Sequence, residues 1–131
     1  MLEIRHSNQT EVEVSGAVDD LQAVNRGISA LVQSRGAEIA FEANLSFNPV
    51  PYDAPLKRMV VVKGRGSAKV SIVDAGELRV EGSPESLEAF ASFFDFELGA
   101  AAGNHAHFEN YEGEGDKWVA VGSIPLVISM R

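Results

Sequence analysis

The chain has no cysteine, one tryptophan, two tyrosines and three histidines among its 131 residues. Without cysteine there is no disulfide framework, no thiolate zinc ligand and no cysteine nucleophile. Long apolar runs are also missing, and no stretch approaches the roughly 20 residues of a membrane span. The opening Met1-Leu2-Glu3-Ile4-Arg5-His6 carries charge where a signal peptide needs an apolar run. These absences lead us to expect a cytoplasmic protein with no membrane association and no cofactor.

What is present is the composition of a folded protein. Hydrophobic residues make up 45% and charged residues 23%, a balance that argues against disorder. A chain of this length makes one domain, residues 1–131, and buries about two thirds of its unfolded surface. The net charge of −8 is lopsided. Residues 1–66 carry seven Lys/Arg against eight Asp/Glu, a net of −1, and residues 67–131 carry four against eleven, a net of −7. An acidic half repels phosphate backbones, so no nucleic-acid partner is expected. It attracts a basic protein instead, and speeds that encounter.

The sequence also reads as two tandem copies of one unit, 1–66 and 67–131. Glu11-Val12-Glu13-Val14-Ser15-Gly16 lies over Glu77-Leu78-Arg79-Val80-Glu81-Gly82, and both alternate as strands do. At the same offset Leu21, Val24, Ile28 and Val32 match Leu87, Phe90, Phe94 and Leu98, the buried stripe of a helix in each copy. Ser83 and Pro84 start the second helix, and Asp19 and Asp20 suit the start of the first. Gly36 and Gly99 stand just past the expected helix ends, where a left-handed residue is common. Further on, Ile39-Ala40-Phe41-Glu42 matches Ala106-His107-Phe108-Glu109, and Met59–Val62 matches Leu126–Ser129. Leu2-Glu3-Ile4 aligns with Val70-Ser71-Ile72 if the first hairpin loop has two extra residues, with turns at Ser7-Asn8-Gln9 and Asp74-Ala75-Gly76. The expected fold is α+β: two ββαββ units, mostly antiparallel sheet, with both helices packed on one face. Asn44–Pro55 and the acidic Asn110–Ser123 are long surface loops of the kind that bind partners.

The densest polar pattern is Asn104-His105-Ala106-His107-Phe108-Glu109-Asn110-Tyr111. On a strand, His105, His107, Glu109 and Tyr111 share one face, and Ala106 and Phe108 take the other. Two readings stand side by side for the polar face. It is a protein-binding surface, continued by Glu112, Glu114, Asp116 and Trp118, or His105, His107 and Glu109 form a metal-binding module or metal-dependent enzyme with an open coordination position. Catalysis needs concavity and burial to shift pKa values, which a flat sheet face lacks. Ser67, Ser123 and Ser129 have no base partner in sequence, so no catalytic residue is assigned. Gly64-Arg65-Gly66-Ser67-Ala68-Lys69 has the flavour of a phosphate loop without its spacing and reads as the turn between copies. Phe93 and Phe96 lie off the helix's buried stripe and offer a contact patch, so a structural homodimer is a further alternative.

Three stretches carry a family resemblance. Gly82-Ser83-Pro84-Glu85-Ser86-Leu87-Glu88-Ala89-Phe90, His105-Ala106-His107-Phe108-Glu109-Asn110-Tyr111 and Gly122-Ser123-Ile124-Pro125-Leu126-Val127-Ile128 together resemble the immunity protein 32 family. These are small bacterial domains associated with polymorphic toxin systems. The likeness covers residues 77–131, and the earlier copy lacks the histidine pair. It implies a non-enzymatic protein that neutralises a cognate toxin by binding it, with His105, His107 and Glu109 as the characteristic strand.

Overall fold

A computed structural model describes residues 1–74, 76–110 and 118–131. The element order is β1 (Glu3–Ser7), β2 (Glu11–Gly16), α1 (Val18–Gln33), β3 (Glu38–Glu42), β4 (Ala54–Leu56), β5 (Arg58–Lys63), β6 (Lys69–Val73), β7 (Glu77–Gly82), α2 (Pro84–Ser92), β8 (His105–Phe108) and β9 (Leu126–Met130). The class is α+β, as expected. The strands divide into two sheets, ordered β4-β1-β2-β9-β8 and β3-β5-β7-β6.

Each sheet mixes strands from the two halves of the chain. Hairpin β1–β2 meets β9 through a parallel pairing, and hairpin β6–β7 meets β5 through another. Local hairpins form because alternating apolar residues are broken by turns whose residues accept positive φ, Asn8 and Gln9 in one and Asp74 and Gly76 in the other. The parallel seams have no local signal, since they join strands distant in sequence. Their registers correspond: Val12 faces Leu126 in one and Leu78 faces Met59 in the other, so partners lie 66 and 67 positions from their counterparts. The first half adds β4, which has no counterpart among the described strands.

The hairpin register differs from expectation. Ile4 pairs with Val14, and Val70 pairs with Val80, so β1 and β6 follow the same 66-residue offset as β2 and β7, and no two-residue insertion is present. A slip of two residues leaves every side chain on its own face, so alternation cannot detect it.

Both sheets and both helices share one core. Helix α1 buries Leu21, Val24, Ile28 and Leu31, a stripe at spacings of three and four. Its polar stripe Gln22, Asn25 and Ser29 meets α2 and the turn after it, donating to Asp95 Oδ1 at 2.9 Å, Ala91 O at 2.8 Å and Glu88 Oε1 at 2.8 Å. Gln22 Nε2 also donates to Phe96 O. Helix α2 starts as its sequence dictates, with Ser83 Oγ accepting the Ser86 N–H at 3.2 Å and Pro84 at the first position.

It ends sooner than its apolar spacing suggests, at Ser92. Phe94 is still buried, carried by the following turn, but Leu98 lies off the helix and is 77% exposed. The helix ends also differ from the glycine reading. Gly36 and Gly99 do not have positive φ, and Ser34 closes α1 in an extended conformation, its N–H and Oγ both donating to Leu31 O.

Candidate functional site

Strand β8 is an edge strand. Its register with β9 places Ala106 and Phe108 toward the core and His105 and His107 on the outer face. Phe108 is fully buried, its ring meeting Phe90 and Phe93 edge-on at 4.8 and 5.1 Å. Phe93 is thereby half-buried against the core, as is Phe96, so the pair forms a shallow groove with Asp95 and Ala106 instead of a projecting patch. Both imidazoles are exposed and stand edge to face with centroids 5.1 Å apart. His105 Nδ1 lies 3.1 Å from Gly103 O.

Met130 donates to Asn104 O at 2.8 Å, which fixes the hydrogen-bonded positions of β8 at Ala106 and Phe108. The backbone groups of His105 and His107 therefore point to the open side of the strand.

The other anticipated residues are dispersed or lie outside the described residues. Glu109 follows the end of β8 and is half-buried. Tyr111, Glu112, Glu114 and Asp116 belong to the segment outside the described residues. Trp118 is half-buried against the core and its carbonyl accepts the Ala68 N–H at 2.8 Å, beside β6 on the other sheet. The Asn110 side chain donates to Val119 O at 2.9 Å and so ties the chain after β8 to that edge. Among the described residues, no three His, Asp or Glu side chains come together as a metal site requires.

The outer face inward from β8 is internally compensated. On the row through Val127 and Glu13, Arg5 Nε donates to Glu13 Oε1 at 2.7 Å, and Ser129 Oγ donates to Glu13 Oε2 at 3.1 Å. Arg5 also donates to Pro49 O at 3.3 Å and Val50 O at 3.0 Å, and its guanidinium stacks over Tyr52 at 4.7 Å. Burial, then the Glu13 and Glu11 carboxylates, push the Tyr52 phenol above its ordinary pKa, with Arg5 opposing. Asn44–Pro55, expected as a surface loop of the kind that binds partners, lays its Pro49 and Val50 carbonyls and Tyr52 against Arg5 on this part of the sheet.

Comparison with protein-family models, with curated proteins and with solved structures found no match to the chain. No helix among the described residues is long and apolar enough to cross a membrane.

Proposed function

We propose that this is a non-catalytic cytoplasmic binding protein that takes a basic protein partner on its β8 side, in the manner that the resemblance to immunity proteins implies. One observation carries the reading: His105 and His107 present their imidazoles to solvent on a strand that, among the described residues, has a strand partner on one side only. An extended segment of a partner can add to such an edge through main-chain bonds, with the side chains setting specificity. Nearby Asp95, and Glu97 beyond it, form no ion pair among the described residues, and the half of the chain that contains them carries −7. Charge of this sign raises the association rate, and the apolar groove at Phe93 and Phe96 supplies affinity.

Co-expression with the product of the neighbouring gene tests the reading. The expected result is a stable complex and protection from that product's toxicity, with a His105→Ala/His107→Ala double variant binding at least tenfold more weakly. A clean failure of both complex formation and protection overturns it. The same open edge also admits a second copy of the chain. Light scattering across a concentration series separates the two readings, because only a homodimer gains mass in the absence of partner.

A further inference from the structure

An open groove lies on the other sheet, on the outer face of β6 and β7. It is a groove of about 570 Å³, within the size range of small-molecule sites. Its polar lining is Arg65, Ser67, Lys69, Ser71, Arg79 and one carboxylate, Glu81. The chain bends at 65–67, where Gly66 takes φ +72°, and enters β6 at Lys69, which brings Arg65, Ser67, Lys69 and Ser71 to one side of the groove. The opposite lip is Ala120 and Val121, and Val121 is 87% exposed.

Charge in the groove is unbalanced. Arg79 is held by Glu81, with Nη2 at 2.7 Å from Oε1, whereas Arg65 and Lys69 form no ion pair among the described residues. The corresponding place on the first sheet shows what compensation looks like. There, 66 positions earlier, Glu3 stands for Lys69 and Glu13 for Arg79, in the same register. Glu3 is paired with Arg131 at 3.2 Å and Glu13 with Arg5, whose guanidinium also meets Tyr52 and the carbonyls of Pro49 and Val50. On the first face Glu3 and Glu13 are both paired with arginines, while on the equivalent face Arg65 and Lys69 have no ion pair among the described residues.

We propose that this groove binds a small organic phosphate, its phosphate group held by Arg65 and Lys69 and its apolar part lying against Ala120 and Val121. A guanidinium fork and an ammonium beside it match the oxygens of a phosphate monoester. The acidic surroundings exclude a phosphate polymer, because a net charge of −8 repels the flanking backbone of a nucleic acid. The groove is independent of the β8 edge and of any partner bound there.

The probes are inorganic phosphate, ADP and a short DNA duplex, each titrated into the purified protein at about 0.15 M salt and followed by backbone amide NMR. The expected result is saturable binding of ADP with Kd below ~1 mM, shifts confined to residues 65–71, 79–81 and 120–121, and weaker binding of phosphate alone. Lys69→Ala and Arg65→Ala should each weaken ADP at least fivefold, and Lys69→Glu should abolish binding. Arg35→Ala, an exposed cation at the end of α1, should change nothing. Three outcomes overturn the proposal: no saturable binding, shifts spread over all cationic residues, or a duplex that binds more tightly than ADP.

Discussion

The two halves of the chain place corresponding residues in corresponding registers, yet they pack and charge those positions differently. At one pair of positions, Phe41 packs against Gly27 of α1 and remains half-buried, while its counterpart Phe108 is fully enclosed by Phe90 and Phe93. Phe93 stands 66 positions after Gly27. The first half thus fits a large ring to an absent side chain, and the second clusters three rings. A shared backbone plan fixes where a side chain points and leaves open how space is filled there.

The sharpest way to break this comparison is truncation of the two rings. Phe108→Ala should cost ~3–5 kcal/mol, the range for a fully buried aromatic, whereas Phe41→Ala should cost about half as much. Chemical denaturation of both variants checks it, and equal losses would show that the halves are packed alike. Next in size is the pair of glycines that end β2 and β7. A Cβ at Gly82 would come within 2.8 Å of Ala68 Cα, which is backbone, while one at Gly16 would meet the side chains of Asp20 and Leu2 at 3.2 and 3.3 Å. Gly82→Ala should therefore destabilise by ~2–3 kcal/mol and Gly16→Ala by under ~1 kcal/mol, read from thermal midpoints. The smallest effect concerns the outer faces. Arg5 and Glu13 are 22% and 14% exposed, so Arg5→Ala leaves a largely buried carboxylate without its guanidinium and should cost ~1–2 kcal/mol. Arg79 and Glu81 are 38% and 46% exposed, and Arg79→Ala should cost under ~0.5 kcal/mol in the same assay.

Much of this architecture was legible in the sequence, because it is written in periodicity. The alternation of Glu11–Gly16 and Glu77–Gly82, the stripe Leu21, Val24, Ile28, and the opposed faces of His105 and Phe108 are all local patterns. Three features were not legible, each for a physical reason. The exchange of hairpins between sheets depends on which distant strands meet, and β2 and β7 look equally able to take either partner. The end of α2 was hidden because Phe94 continues the helical spacing while being buried from a turn, leaving Leu98 to solvent. The cationic groove draws on the 65–71 segment, Arg79 and the 120–121 segment, three stretches that become neighbours only once β6 has paired with β7 and the chain after Trp118 has crossed to its edge.

The exchanged seams bear on how the protein is made. As the chain leaves the ribosome, hairpin β1–β2 emerges early, but the edge of β2 that meets β9 must wait for the final strand in chain order. Until then one edge of this alternating strand lacks its strand partner, the kind of edge that stray strands capture. Closure over so long a span makes the search for the native pairing slow. Synthesis rate and chaperone supply, as well as equilibrium stability, should therefore govern how much of this protein a cell recovers intact.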